Sequence, residues 1–165
     1  MKHTLLARVQ DHPGVLNRVA SLFRRRAFNI DSLTVGGSEA EDYSRMTVVV
    51  DAASAPAHLV AAHLRKLVPV AEVRDVTYLP TVDRDLALIR VRCGAPELSE
   101  IGDLVSIFRG KVVDVAPDSV IVEVTGDVEK VDGLVELLRP RGILEMVRTG
   151  KVAMVRGTVA GKEES

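Results

Sequence analysis

Along residues 4–10, apolar and polar side chains alternate, so Leu5, Ala7 and Val9 fall on one face of a strand. The tetrapeptide Asp11-His12-Pro13-Gly14 interrupts the pattern with turn-forming residues. From 15 to 26 the period becomes helical. Val15, Leu16, Val19, Ala20 and Phe23 share a stripe, and Arg18, Arg24 and Arg25 lie opposite or beside it. Strands are predicted over 30–36 and 44–51, the second with Met46, Val48 and Val50 facing one way. A helix over 57–67 turns Val60, Leu64 and Leu67 inward, and Pro56 suits its first turn. A strand over 70–78 completes the order βαββαβ.

Residues 80–85 form a short polar connector in this reading, and the order then repeats. Strands are expected over 86–92, 111–115 and 119–125, and helices over 98–108 and 128–138. The last strand or strands lie within 142–156. FRRRAFNI at 23–30 resembles FRGKVVDV at 108–115, each a helix end running into a strand. The expected fold class is therefore α+β, with two ferredoxin-like units. Each is a four-stranded antiparallel sheet with both helices on one face. The other face of the first sheet is expected to be uncovered, with Val, Met and Ala calling for a partner surface, which points to oligomerisation. The domains are 1–79 and 80–157, followed by a loose tail over 158–165.

A chain of 165 residues suits one ordinary domain or two small ones. Aromatics make up only 3% and Trp is absent, so Val, Leu, Ile and Ala must build the core. With 22 basic and 23 acidic residues the net charge is -1, which argues against a general nucleic-acid or membrane-surface binder. The single Cys93 cannot close an intrachain disulfide, and no apolar run reaches the ~18 residues of a membrane span. No charged leader followed by an apolar run opens the sequence. The expectation is a soluble cytoplasmic protein.

The sharpest chemical feature is the Asp11–Gly14 turn. Gly14 has no Cβ and lets backbone approach a ligand closely. The amides after it open a helix, lack intrahelical partners and sit at the positive end of its dipole, where a carboxylate is a suitable guest. Asp11 is placed to answer an α-ammonium group. The plainer alternative is a helix start with Asp as cap and Pro-Gly as turn. Asn29 has two readings as well: a left-handed turn residue, or an amide reaching a ligand. The Arg24-Arg25-Arg26 run is a solvated helix end or a protein contact. Arg45 can pair with Glu41, Asp42 or a partner chain. His3, His12, His58 and His63 form no metal-ligand spacing. No nucleophile or phosphate-loop motif appears, and Cys93 reads as a packed thiol.

DHPGVLNRVASLFRRRAFNIDSLTVG, then SRMTVVV and RKLVPVAEV, resembles the small regulatory subunit of acetolactate (acetohydroxyacid) synthase. LALIRV, IFRGKVVDV, SVIVEVTG and RTGKVAMVRG resemble that family's C-terminal domain. The resemblance implies an N-terminal ACT domain, an amino-acid-binding module that pairs side by side with a second copy. It implies that the effector lies at the seam, with Asp11, Gly14, Val15 and Leu16 from one chain and Asn29 and Ile30 from the other. It further implies a large catalytic subunit as partner, carrying thiamine diphosphate, FAD and Mg²⁺. This chain itself would be non-catalytic. It would activate that subunit and let valine, leucine or isoleucine inhibit it. Many members carry Asn at the position of Asp11, so this chain brings an added negative charge. The competing expectations are a stand-alone ACT-type sensor, an RNA-binding ferredoxin-like domain, or an enzyme in its own right.

Overall fold

The alternation at the start of the chain produces β1 (Lys2–Gln10), a central strand of a four-stranded antiparallel sheet. Leu5, Ala7 and Val9 are all buried on its helix-facing side. The computed structural model describes residues 1–51, 53 and 56–157; the tail expected over 158–165 lies outside them. After β1 come α1 (Val15–Arg26), β2 (Ile30–Gly37), β3 (Tyr43–Asp51), α2 (Ala57–Arg65) and β4 (Val70–Asp75), in the sheet order β2-β3-β1-β4. The second half runs β5 (Thr81–Arg92), α3 (Leu98–Ile107), β6 (Lys111–Val115), β7 (Ser119–Gly126), α4 (Val128–Leu138), β8 (Ile143–Arg148) and β9 (Val152–Val155). Its sheet order is β6-β7-β5-β8, the same permutation as the first, with β9 added against β5. Both halves are ferredoxin-like, as the repeat predicts. Contacts gather Met1–Val82 with the segment from Lys151 into one unit, and Asp83–Gly150 into the other.

Each unit has its own aliphatic core. In the first, Val15, Val19, Leu22 and Phe23 of α1 and Val60 and Leu64 of α2 pack on Leu5, Met46, Val48 and Val50. In the second, Ile101, Val105, Val131 and Leu134 pack on Ala87, Ile89, Val91, Val120 and Val122. Each side chain of this size contributes about 1.5–3 kcal/mol by leaving water.

Several local expectations change. Leu16 and Ala20 are exposed, and Leu22 takes their place in the core stripe. The connector expected over 80–85 is instead the beginning of β5. Its polar residues belong to the strand, and one of them, Asp85, is buried against β8. Asp85 accepts from Arg148 Nε at 2.9 Å and is also bonded by Arg148 Nη2, whose Nη1 reaches Asp132 at 2.6 Å. The other face of the first sheet, expected to be uncovered and to carry Val, Met and Ala, has only Val49 of these types in β1 and β3, and Thr4, Thr47 and Val49 on it are buried. Met46, Val48, Val50 and Ala7 face the helices. Strand alternation gives the other face Thr4, Leu6, Arg8, Arg45, Thr47 and Val49. There Arg8 lies over the Tyr43 ring at 4.9 Å, and Arg45 holds Glu39, not Glu41 or Asp42, with bonds of 3.2 and 2.8 Å.

Candidate functional site

The β1–α1 turn begins where the Asp11 amide donates to the Asp42 carbonyl at 2.9 Å, tying it to the start of β3. The His12 ring braces it, with Nδ1 at 3.1 Å from the Pro13 carbonyl and Nε2 at 3.2 Å from Gln10 Oε1. Gly14 is the residue that flanks the helix, at φ +90°, a conformation that L side chains rarely adopt. A Cβ built there would meet nothing within 4 Å, so the space in front of the turn is open. No side chain caps α1. The expectation that Asp11 serves as the cap is thus corrected: Gly14 separates it from the helix by a left-handed step. Among the described residues no cation or donor side chain engages the Asp11 carboxylate. The first-turn amides of Leu16 and Asn17 have no backbone acceptor among the described residues. Val15 is buried beneath the turn, while Leu16 is 51% exposed beside it. The arrangement offers bare N–H groups at a helix dipole's positive end, an open carboxylate and an exposed aliphatic side chain.

The equivalent turn of the second unit borders a cavity of about 490 Å³ lined by Arg92, Cys93, Gly94, Glu97, Asp118 and Arg141. There the Gly94 amide donates to the Glu97 carboxylate at 2.5 Å, the half of a capping box that a glycine can make. Cys93 is buried beside it, and burial together with the nearby Glu97 charge pushes its thiol pKa up, so it stays protonated and inert. The two repeats differ in that a carboxylate of the chain itself engages the glycine amide of the second turn, whereas no side chain caps α1 at the first.

Asn29 and Ile30 follow α1. The helix ends with Ala27 in the left-handed region at φ 53°, its amide donating to the Arg24 carbonyl, and with the Phe28 amide donating to the Phe23 carbonyl at 3.0 Å. Phe23 and Phe28 meet edge to face at 6.0 Å, the apolar contact that accompanies this ending. The left-handed position expected of Asn29 therefore belongs to Ala27. Asn29 is exposed at the entry to β2, and Ile30 is half-buried against the core.

The register places the two halves of the candidate site far apart within one chain. Ile30 pairs with Val50, which pairs with His3, whereas the turn follows Gln10, which pairs with Tyr43. The intervening stretch of β1 spans roughly 23 Å, and α1 itself about 18 Å. One amino acid cannot touch both segments of one chain. Of the predicted set, the structure brings Asp11, Gly14, Val15 and Leu16 together and leaves Asn29 and Ile30 at the opposite end. Sequence reasoning missed the His12 brace and the difference between the two turns. Glu97, three residues after Gly94, was the available signal for the second.

Among the described residues no group of three His, Cys, Asp or Glu side chains gathers to hold a metal ion. No helix there is long and apolar enough to cross a membrane.

Two ferredoxin-like units, the first with an open glycine turn between its first strand and helix, define a protein of the ACT-domain class. The model of the AHAS small subunit-like ACT domain matches residues 5–72, and that of the small subunit of acetolactate synthase matches residues 84–157. A probable acetolactate synthase small subunit from Archaeoglobus fulgidus is 51% identical over 157 residues, covering 95% of this chain and 98% of that one. The acetolactate synthase small subunit of Mycobacterium bovis is 44% identical over 94% of this chain and 92% of its own. The crystal structure of the acetolactate synthase small subunit from Thermotoga maritima superposes with a TM-score of 0.87 at 40% identity, covering 96% of this chain and 99% of that one. The chain belongs to the acetolactate synthase small-subunit family.

Proposed function

We propose that this chain is the regulatory subunit of an acetolactate synthase, which binds and activates a large catalytic subunit and makes it sensitive to valine or another branched-chain amino acid. In this reading thiamine diphosphate, FAD and Mg²⁺ belong to the large subunit, and the present chain does no chemistry.

The observation that carries the reading is the open turn at one end of the sheet and Asn29–Ile30 at the other. β2 is an edge strand. A twofold axis normal to the sheet at that edge runs two β2 strands antiparallel and keeps all helices on one side. Ile30 of one chain then lies beside Gly37 of the other, at the end where the second chain's Asp11–Leu16 turn stands. The carboxylate of valine meets the amides after Gly14, its ammonium group meets Asp11, and its isopropyl group meets Leu16 and Ile30. The effector inhibits because it binds the inhibited arrangement of the pair more tightly than the active one; a coupling of about 1–3 kcal/mol is the ordinary range.

The test is titration of the purified chain with valine, leucine and isoleucine, with and without the large subunit, by calorimetry and by synthase rate. Saturable binding and loss of the activated rate are expected for at least one of the three. Activation without any effector response would remove the sensing role. Absence of activation would remove the subunit role.

A further inference from the structure

The two helices of the first unit carry no acidic residue. α1 is VLNRVASLFRRR and α2 is AHLVAAHLR, so their charges are Arg18, Arg24, Arg25, Arg26 and Arg65, followed at once by Lys66. The helices of the second unit differ: α3 and α4 carry Glu100, Asp103, Glu129, Asp132 and Glu136 against a single Lys130. A chain with net charge -1 thus concentrates uncompensated positive charge on one helical layer.

Arg65 donates to the Val73 carbonyl at 2.8 Å, but none of these charges meets a carboxylate among the described residues. Among the described residues no ion pair involves α1 or α2, although Glu100, Asp132 and Glu136 of the other helices are each paired with an arginine. Arg18 and Arg25 lie seven residues apart on one stripe, with Arg24 and Arg26 around the same helix end, and all are exposed. The field extends to α2. His63, whose ring lies 5.9 Å from that of Phe28, has its pKa lowered by desolvation and then by the charges of Arg26 and Lys66. A helix end favours some positive charge through its dipole. The dipole does not account for Arg18, eight residues before the end, nor for the lack of any acidic side chain across two helices.

We infer that this basic helical layer, centred on Arg18, Arg24 and Arg25, is a docking surface for a carboxylate-rich face of the large catalytic subunit. The inference rests on the regulatory-subunit reading above and adds the surface that carries it. Charge complementarity sets the occupant. A protein surface fits better than a nucleic acid, because the layer exposes no Phe, Tyr or Trp ring for base stacking; Phe23 is buried, Phe28 is half-buried, and the exposed ring is the small imidazole of His58. Separated like charges of this kind steer association and fix orientation.

The experiment measures association of the full chain with the large subunit, at low and at high salt, for wild type, Arg24→Glu/Arg25→Glu and Arg24→Lys/Arg25→Lys. The reversal is expected to slow association by about tenfold or more at low salt and to flatten the salt dependence. The lysine pair should associate like wild type, and calorimetric binding of valine by the reversed variant should be unchanged. The docking surface is refuted if the reversed variant associates as wild type does. It is equally refuted if the defect appears in self-association or in binding of a probe RNA instead. A wild-type chain that never associates with the large subunit overturns the subunit reading itself, whereas wild-type association unaffected by reversal overturns the docking surface alone.

Discussion

Gly14 combines two properties that a substitution separates. Its φ of +90° excludes ordinary side chains, and the space before it is open. Gly14→Ala strains the turn by about 1–2 kcal/mol but adds little bulk. Gly14→Asp adds the same strain and puts a negative charge where the effector's carboxylate is proposed to sit. The aspartate variant is therefore expected to lose valine inhibition while retaining activation of the large subunit, measured as synthase rate with and without valine. Full valine sensitivity would move the site elsewhere. Asn29→His should weaken valine binding in calorimetry, and unchanged affinity would remove Asn29 from the contact set. At the other end of α1, Ala27 holds a left-handed conformation with a Cβ it does not need. Ala27→Gly is expected to stabilise the chain by about 0.5–1 kcal/mol, the relieved strain being partly offset by greater unfolded-state freedom. Chemical denaturation measures it, and a loss of stability would mean that the alanine methyl matters for packing.

Among the elements, those with strong periodicity were legible from the sequence. β1, β3, α1 and α4 stand within two residues of where the pattern puts them, because each buries one face and the buried positions follow the period. β5 was shortened because Asp83, Arg84 and Asp85 look like a connector. What makes Asp85 a strand residue is Arg148, sixty-three positions away, and no local pattern contains that partner. A distant partner also decides against the alternative reading of Asp11 as the cap of α1. Asp11 is a good cap by residue type, but the left-handed step at Gly14 and the bond from its amide to Asp42 set its position. The buried Asp85–Arg148 pair yields a prediction at this scale. Arg148→Ala leaves a buried carboxylate without its cation and should cost about 3–5 kcal/mol, while Asp85→Leu with Arg148→Met should lose much less. Equal losses in thermal unfolding would show that the ion pair is worth more than its desolvation.

For the whole molecule, the duplicated architecture was legible because two halves gave the same order independently. The structural difference between the two glycine turns was not, since Gly94 and Gly14 look alike as letters. Only the bond from the Gly94 amide to Glu97, set against the uncapped start of α1, separates the two turns. If the crevice is shared between chains, effector binding and self-association must favour one another. Saturating valine should shift the dimerisation equilibrium of the isolated chain toward the dimer, read by sedimentation at low protein concentration. An unshifted equilibrium would place the effector wholly within one chain.

The roughly 23 Å between Ile30 and the Asp11–Leu16 turn has a genetic corollary. A twofold pair would hold two crevices, each borrowing its turn from one chain and its Asn29 from the other. Two effector-blind variants, one altered only at Gly14 and one only at Asn29, would then repair each other when mixed. In the mixed pair both lesions fall in the same crevice, leaving its twin intact, so partial feedback control would return from parents that each have none.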